Sequence, residues 1–420
     1  MKKHLLSRKG IFVAFSVLFL GLSNDTTAQD YNWNGATSSD FYTASNWSSS
    51  SGSVIFDDSS FKAVRTNASG KSPIINQPMA WRPGIFDNTG GNLTVNADFN
   101  LFFNDKLNGT VTVNTGATFK CSNIFRVGRE GSGTVNVNGG TIISNDVDPN
   151  NWQAIFIGAL SGGDGTVNVS NGGMVSGGFQ LEIGTRNFYP KGLLNVNTEG
   201  TAEAYWATVI GPNGTVNIDG GNLNTGEKLL VGDLFVDNAG TEGTTAAIVG
   251  KLNINSGSVV VNQNDLAGGA LILNAKAKVV IDNGSLAIKL TGHDFTADVN
   301  AFVTAGQIVA VAGKEIVVAY DGVLTTVTAK TKLGVNEFAN ANFRVYPNPV
   351  TDVVNILSNG FDNNLMVTIV SLSGKTLVKE SLSNNAGSYS LQVKNRLSTG
   401  IYLLNINSDS NNYTTKLIVK

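Results

Sequence analysis

Short strands with alternating apolar and polar residues recur along the middle of this chain. In Gly133–Asn138 two valines lie two positions apart, so both fall on one face of a strand and Asn136 falls on the other. The final asparagine of the pattern tolerates the left-handed backbone of a tight corner. The pattern of glycine, any residue, aliphatic, polar, aliphatic and small polar residue recurs at 91–96, 109–114, 165–170, 192–197, 214–219, 250–255 and, more weakly, 269–274.

A second apolar pattern, which ends in glycine, follows most copies of the first. It reads aliphatic or aromatic, variable, aliphatic, glycine, and occurs at 125–128, 155–158, 181–184, 208–211 and 229–232. A third short apolar segment, such as Met174–Val175, lies between the two. One such strand cannot bury its apolar face, whereas stacked copies bury a continuous core. The chain is therefore predicted to be all-β, with a right-handed parallel β-helix of three strands per turn over residues 91–284.

The spacing between copies varies, which places the insertions in loops between the strands. Three insertions follow Gly158, Gly184 and Gly232, and we expect them at one corner of successive coils. A separate insertion, 145–152, precedes the strand at 155–158. Loops gathered at one edge are where repeat proteins usually bind their ligands. The alternative, which is slightly favoured, is that these loops have drifted in sequence and bind nothing. The candidate ligand-binding residues in these loops are Trp152, Arg186, Phe188, Tyr189, Lys191 and Phe235.

Both ends of the predicted solenoid need a cap, because an exposed terminal strand invites aggregation. Residues 29–90 are interpreted as an N-terminal cap with an irregular first coil, since Trp33 and Trp47 bracket a polar turn and three prolines follow. The alternative is that the two tryptophans form a platform on which sugar rings stack. Residues 285–330 are interpreted as the C-terminal cap, with a short helix between Phe295 and Gly306 and three strands after it. Residues 331–342 form a polar linker.

The last segment, 343–420, has short alternating strands separated by turn residues, which predicts a small antiparallel β-sandwich. It contains a Tyr-Pro-Asn-Pro motif, a Ser-Gly-Lys turn, a Gly-Ile-Tyr strand and a basic C-terminal strand. These motifs resemble the type A C-terminal sorting domain of type IX secretion cargo in Bacteroidetes. By that resemblance the sorting-signal residues are Tyr346, Pro347, Asn348, Pro349, Gly374, Lys375, Gly400, Ile401, Tyr402, Lys416 and Lys420.

This resemblance implies export by the Sec route, passage through the outer membrane and removal of the domain. The type IX secretion machinery is then the expected partner, and the remaining chain is released or attached to the cell surface. An ordinary binding module is the alternative for such a sandwich. The Gly-Thr-Val-Asn-Val and Ile-Gly elements also resemble the autotransporter-associated β-strand repeats of large secreted bacterial proteins, and the Trp-Gly…Asn-Trp opening resembles their N-terminal segment.

The first 28 residues have the features of a signal peptide. Four basic residues precede the apolar stretch Ile11–Leu22, and Thr26–Ala28 offers small residues for cleavage. A membrane anchor needs about 20 apolar residues, so a retained N-terminal anchor is the less favoured alternative. No later segment has that length and apolarity, so no transmembrane anchor is expected.

Composition narrows the functional classes. Charged residues make up 14% of the chain and 48 residues are glycine, which suits stacked strands with tight corners. The net charge of −2 gives no electrostatic reason to expect nucleic acid as a partner. Cys121 is the single cysteine, so an internal disulfide is excluded, and a buried apolar role is expected for it.

Histidine chemistry has little support. After signal removal only His293 is left, in the predicted cap, so a zinc site with two histidines is excluded and no nucleophile elbow surrounds it. No cofactor or metal is expected, since Asp146 and Asp148 make only a weak calcium candidate.

A glycosidase would need two carboxylates about 5–9.5 Å apart, and neighbouring coils about 4.8 Å apart could supply them. The repeats hold few acids, and aligning the second pattern puts one acid, Glu182, in a column with Arg126, Phe156, Val209 and Leu230. No catalytic residue is therefore assigned. The favoured hypothesis is a non-catalytic secreted or cell-surface β-helix, adhesin-like or binding an extracellular polysaccharide or surface glycan. The alternative is a β-helix polysaccharide lyase or glycoside hydrolase.

Overall fold

The computed structural model describes residues 30–49, 63–144, 154–160, 162–185, 190–232, 249–263, 269–332, 343–358, 364–384, 387–408 and 412–420. The predicted signal peptide lies outside the described residues. The chain divides into two compact units, residues 1–332 and 333–420. Each unit has its own apolar core.

The first unit is built almost entirely from short strands. In chain order these are β1 (Asp30–Trp33), β2 (Trp47–Ser49), β3 (Ala63–Thr66), β4 (Ile74–Ile75), β5 (Met79–Val95), β6 (Phe99–Asn114), β7 (Thr118–Cys121), β8 (Ile124–Val127), β9 (Ser132–Asn138), β10 (Thr141–Ser144), β11 (Ala154–Ile157), β12 (Asp164–Ser170), β13 (Met174–Ser176), β14 (Gln180–Ile183), β15 (Lys191–Asn197), β16 (Thr201–Ala204), β17 (Ala207–Ile210), β18 (Gly214–Thr225), β19 (Lys228–Val231), β20 (Lys251–Asn262), β21 (Leu271–Leu273), β22 (Lys278–Ile281), β23 (Ser285–Lys289), β24 (Ile308–Ala310), β25 (Lys314–Tyr320) and β26 (Leu324–Thr331). Within the described part of this unit there is one α-helix, α1, which spans Thr296–Thr304.

Most of these strands pair in parallel with the equivalent strand one coil away, which confirms the predicted parallel β-helix. A complete coil contributes to three stacks, in the order stack A, stack B and stack C; β9, β10 and β11 make up one such coil, whereas the long strands β5, β6, β18 and β20 each run through more than one stack. In stack A, Val135 pairs with Val167, and the same register continues through Leu194 to Val216. These four side chains are at most 1% exposed. The alternation of the sequence therefore points its aliphatic residues into one continuous core.

One repeat was assigned to the wrong stack. The weak copy at 269–274 was expected to begin a new coil in stack A, but Leu271 pairs with Leu229 of β19, which places β21 in stack C. The next strand of stack A is β22, which follows β21 in the chain and in which Val279 pairs with Leu252 of β20. Two aliphatics two positions apart serve a strand in any of the three stacks, so the pattern alone does not distinguish them.

Polar side chains on the outer face of stack A form a ladder. The Nδ2 of each asparagine donates to the Oδ1 of the asparagine one coil before, at 2.8–2.9 Å. The ladder runs through Asn136, Asn168, Asn195, Asn217 and Asn253. The sequence thus places a hydrogen-bonded amide opposite the aliphatic core on each of these five coils.

Aromatic rings fill the core near the N-terminus. Phe86, Phe99, Phe119 and Phe125 are fully buried, with neighbouring ring centroids 4.8–5.8 Å apart. Such pairs add about 0.5–1.5 kcal/mol each beyond their buried area. Cys121 is 0% exposed and belongs to the same core cluster, which confirms the buried apolar role predicted for it. The register between β5 and β6 shifts several times, as expected for an irregular first coil.

The N-terminal end is closed by an aromatic cluster. Trp33, Phe41 and Trp47 are at most 5% exposed, and the ring of Trp47 meets both other rings edge to face at about 5 Å. β2 runs antiparallel to β1, while β1 continues stack C by pairing in parallel with β3. The buried tryptophans present no ring to solvent, so the alternative of a sugar-stacking platform at this end is wrong.

The C-terminal end is closed by α1 and a hairpin. The helix falls where the spacing of Phe295 and Val299 predicts it, and both side chains are buried against the core. Parallel stacking continues past residue 284, since β23 belongs to stack B and β24 to stack A. β26 then runs antiparallel to β23 and pairs with β25. Antiparallel strands therefore finish both ends of the parallel stacks.

The second unit is a pair of antiparallel sheets, as predicted. Its strands are β27 (Phe343–Tyr346), β28 (Val353–Ser358), β29 (Asn364–Ser371), β30 (Thr376–Ser383), β31 (Ser388–Gln392), β32 (Gly400–Asn407) and β33 (Asn412–Val419). One sheet has the order β27-β28-β31 and the other the order β30-β29-β32-β33. Alternate residues of both sheets, such as Ile356 and Leu404, form one buried core.

Candidate functional site

The outer face of stack C carries the column predicted from the second pattern. Strand pairing joins Phe156 to Arg126 and to Glu182, and continues from Glu182 through Val209 to Leu230. Although they face away from the central core, Phe156, Val209 and Leu230 are at most 8% exposed and form small separate apolar clusters with neighbouring alanines. The middle of this column is therefore not an open binding surface.

Glu182, the acid of that column, is only 2% exposed. Its Oε2 accepts a 2.5 Å hydrogen bond from the hydroxyl of Thr185. The residues that pair with it on the coils before and after are Phe156 and Val209. The structure thus does not place a second carboxylate beside Glu182 in this column, which a glycosidase mechanism at this position would require.

Aromatic side chains lie at the corner where stack B turns into stack C. The rings of Phe179 and Trp206, one coil apart, stack with centroids 4.9 Å apart and planes 10° from parallel. Tyr205, next to this pair, is 74% exposed. The Nζ of Lys228, on the following coil, lies 5.6 Å from the centre of the Trp206 ring, within reach of a cation–π interaction. We call these four residues the aromatic corner.

Backbone hydrogen bonds fix the aromatic corner coil on coil. The amide of Trp206 donates to the carbonyl oxygen of Phe179 at 3.0 Å, and the amide of Lys228 donates to that of Trp206 at 3.0 Å. Gly226 packs directly against the backbone of Tyr205. A Cβ at Gly226 would lie 1.6 Å from the Tyr205 carbonyl oxygen, so the packing leaves no room for a side chain there. The rings are thus held by rigid strand ends rather than by a long loop.

A buried polar group lies beside the aromatic corner. Gln180 follows Phe179 directly, is 1% exposed, and its Nε2 has no hydrogen-bond partner among the described residues. A buried donor without a partner costs free energy, so such groups in native proteins call for an explanation.

The predicted ligand-binding residues fall mostly outside the described residues: Trp152, Arg186, Phe188, Tyr189 and Phe235. Lys191 is described and lies exposed at the start of β15. The register of their flanking glycines agrees with the expectation, since the amides of Gly158, Gly184 and Gly232 each donate at 2.8 Å to the strand one coil before. The three insertions therefore leave the β-helix at the same corner, between stack C and stack A.

The insertion that contains Trp152 emerges at the other end of stack C. It joins β10 of stack B to β11 of stack C, and Phe179 and Trp206 lie at the same corner on the following coils. Sequence reasoning did not select Phe179, Tyr205, Trp206 or Lys228. The Tyr-Trp pair between two strand patterns is the signal that could have revealed them.

Histidine and metal chemistry gain no support from the described residues. His293 packs edge to face against Phe295 with centroids 4.4 Å apart. The neighbouring Asp294 has its pKa lowered by hydrogen bonds from the side chain and backbone of Thr296. Among the residues that the structure describes, no group of three histidine, cysteine or acidic side chains is close enough to hold a metal ion.

The motifs at the two ends of the second unit meet in space. Nδ2 of Asn348 donates to the carbonyl oxygen of Lys416 at 2.6 Å, and the amide of Ile418 donates back to Oδ1 of Asn348 at 2.9 Å. The peptide bonds before Pro347 and Pro349 are both cis. The Tyr-Pro-Asn-Pro segment thus lies along β33 and continues its hydrogen bonding.

Two further motifs have internal roles in the same unit. Tyr402 is buried, and its hydroxyl donates to the carbonyl oxygen of Ser398 at 2.8 Å. Gly374 adopts a φ of +85° in the turn after β29. The amide of Ser371 closes this turn by donating to the carbonyl oxygen of Lys375 at 2.9 Å.

Residues 344–420 match the family described as the secretion system C-terminal sorting domain.

The second unit is a type IX sorting domain. The resemblance predicted from its motifs is confirmed, and the sorting domain implies that the chain leaves the cell and meets the type IX secretion machinery. No curated protein matches the chain. Among the described residues, no helix has the length and apolarity needed to cross a membrane.

Proposed function

We propose that the first unit is a non-catalytic carbohydrate-binding β-helix, which acts outside the cell on an extracellular polysaccharide or a surface glycan. The observation that carries this proposal is the aromatic corner, where Tyr205 is 74% exposed beside the stacked rings of Phe179 and Trp206. Aromatic rings offer a flat apolar face together with a polar edge, which suits the apolar faces and hydroxyl rims of sugar rings.

A charged group beside the rings complements this surface. Lys228 brings a cation to the Trp206 ring. Hydroxyl or carboxylate oxygens of a glycan would accept hydrogen bonds from its ammonium group. The rigid strand ends that carry these groups reduce the entropy lost on binding.

A non-catalytic role is favoured over polysaccharide cleavage by the surroundings of Glu182. This carboxylate is buried and hydrogen-bonded to Thr185, and Phe156 and Val209 are its neighbours on adjacent coils. The polysaccharide-degrading alternative therefore has no carboxylate pair on this column from which to start.

The test is a glycan array with the chain lacking residues 1–28, followed by affinity measurements on each glycan that binds. Trp206→Ala and Tyr205→Ala should each weaken binding about tenfold or more, equivalent to about 1.4 kcal/mol. Tyr320→Ala, in the C-terminal hairpin, is the matched aromatic control and should bind as the wild type does.

Two outcomes would contradict the proposal. Unchanged affinity of the Trp206 and Tyr205 variants on every glycan would remove the aromatic corner as the site. New reducing ends or unsaturated uronates, released from a bound polysaccharide, would show an enzyme instead. A double substitution of Phe188 and Tyr189 tests the insertions at the opposite corner in the same assay.

A further inference from the structure

Exposed large apolar side chains are concentrated on the sorting domain. Of the nine among the described residues, two lie in the first unit and seven in the sorting domain: Tyr346, Leu357, Met366, Leu372, Leu377, Ile401 and Leu403. Soluble domains rarely expose contiguous apolar patches of appreciable size unless a partner covers them. The sorting domain is therefore expected to use part of this surface for contact.

Strand pairing gathers several of these residues on one half of the outer face of the four-stranded sheet. Val370 pairs with Leu403, and Ile401 pairs with Ile418 on the next strand. Leu372 and Leu377 flank the turn that joins β29 to β30, and they are 70% and 40% exposed. We call the following six residues the apolar patch: Val370, Leu372, Leu377, Ile401, Leu403 and Ile418.

The other half of the same face carries one exposed apolar side chain, Met366, which pairs with Ser381 and Asn407, and is otherwise polar. There Thr368 pairs with Asn405, and Asn405 pairs with Thr414. The hydroxyl of Thr414 donates to Oδ1 of Asn405 at 2.8 Å. The contrast between the two halves within one sheet argues that the apolar patch is a feature with a role rather than the average surface of the domain.

Lysines border the apolar patch. Lys416 pairs with Leu403, Lys379 lies on β30 opposite Thr368, Lys375 lies in the turn and Lys420 ends the chain; all four are exposed. Within the described part of the domain, the two acids are already engaged, Asp352 by Lys394 at 3.1 Å and Glu380 by Arg396 at 2.7 Å. A partner surface with carboxylates would complement this border.

The sorting motifs divide into two groups in the structure. Asn348, Tyr402 and Gly374 have internal roles in hydrogen bonding or backbone geometry. Ile401 and Lys416, by contrast, are exposed at the apolar patch. Motif residues without an internal role are the ones expected to contact a partner.

We propose that the apolar patch with its lysine border is the face by which the sorting domain docks onto the type IX secretion machinery. The partner surface would present an apolar depression edged by carboxylates. This inference concerns export and is independent of the carbohydrate proposal for the first unit.

The test is secretion of the full chain from a bacterium with a functional type IX system. Leu403→Asp and Ile401→Asp place a charge on the patch and should lower the secreted amount about tenfold or more, with the chain retained in the periplasm. Asn405→Asp adds the same charge on the same strand and face, and should be secreted normally. Lys375→Glu combined with Lys416→Glu should also reduce secretion.

Folding of each variant is checked by the thermal unfolding of the purified full chain, and Leu403→Ser serves where Leu403→Asp lowers the unfolding temperature. Normal secretion of folded patch variants would overturn the proposal. So would light scattering that shows a dimer of wild-type chains which Leu403→Asp dissociates while secretion persists, because the patch would then contact a second copy.

Discussion

Asn348 and Ile418, 70 residues apart in the chain, are joined by a 2.9 Å hydrogen bond from the backbone amide of Ile418 to Oδ1 of Asn348. Nδ2 of the same Asn348 side chain donates to the carbonyl oxygen of Lys416. One side chain thus satisfies a donor and an acceptor on the edge of β33, as a neighbouring strand would. The first and last motifs of the sorting domain therefore form a single structural element.

Asn348→Ala should destabilise the sorting domain by about 1–3 kcal/mol, because it leaves a backbone donor and acceptor of β33 without their partner. The measurement is the unfolding transition of this unit in the full chain. Asn407→Ala, at the exposed end of β32, is the control and should change it little. Equal effects of the two substitutions would mean that the Asn348 bonds contribute nothing to stability.

The asparagine ladder predicts a dependence on position along the stack. Asn195 has two ladder bonds of 2.8 Å, one to Asn168 and one from Asn217, whereas Asn253 at the end has one. Asn195→Ala should therefore lower the free energy of unfolding of the first unit by about 1–3 kcal/mol, and Asn253→Ala by roughly half as much. Denaturant titration of both variants checks the ratio. A larger loss for the terminal position would contradict the ladder account.

Gly158 and Gly162 separate backbone strain from crowding at one corner. Both have positive φ, +72° and +76°. A Cβ at Gly158 would lie 1.9 Å from the carbonyl oxygen of Lys191, whereas a Cβ at Gly162 meets nothing within 4 Å. Gly162→Ala should cost about 1–2 kcal/mol for the left-handed conformation alone.

Gly158→Ala should cost clearly more than Gly162→Ala, because the backbone of two coils must move apart to admit the methyl group. The comparison is made by thermal and denaturant unfolding of the two variants side by side. Similar losses would show that the coils separate easily at this corner and that close stacking there is not required.

The N-terminal cluster predicts a structural rather than a binding role for its tryptophans. The Nε1 of Trp47 donates to the carbonyl oxygen of Phe41 at 2.7 Å, and its ring packs on Trp33. Trp47→Ala should destabilise the first unit by about 3–5 kcal/mol through the cavity it leaves. Trp47→Phe keeps a ring but loses the hydrogen bond, and should cost less. Loss of glycan binding by a folded Trp47→Phe variant would contradict this role.

Much of the architecture follows from local sequence. Alternation decides which side of a strand is apolar, so Val135, Val167 and Val216 were predicted to be core residues before any pairing was known. The spacing of Phe295 and Val299 likewise located α1, and the C-terminal motifs identified the sorting domain. Each of these inferences depends on residues that are close in the chain.

Other features depend on which coils become neighbours, and the sequence did not reveal them. Leu271 fits any of the three stacks, and only pairing with Leu229 assigns it to stack C. The alternation along its strand places Glu182 on the outward face, yet the folded chain buries this side chain. The strands that follow Phe179 and Trp206 begin at Gln180 and Ala207, which are 27 residues apart in the chain but pair on neighbouring coils. This pairing brings the two rings together, and they stack.

By itself, then, the sequence determined the strand pattern, the two units and the sorting domain, because short-range alternation and contiguous motifs encode them. The tertiary structure decided the aromatic corner, the buried Glu182 and the joining of Asn348 to Ile418. The physical reason is the range of the interactions. Side-chain contacts between coils depend on the pairing register, and so on the combined length of the strands and loops between the two residues, which is tens of residues. The face of a strand on which a side chain lies depends only on the alternation of neighbouring residues.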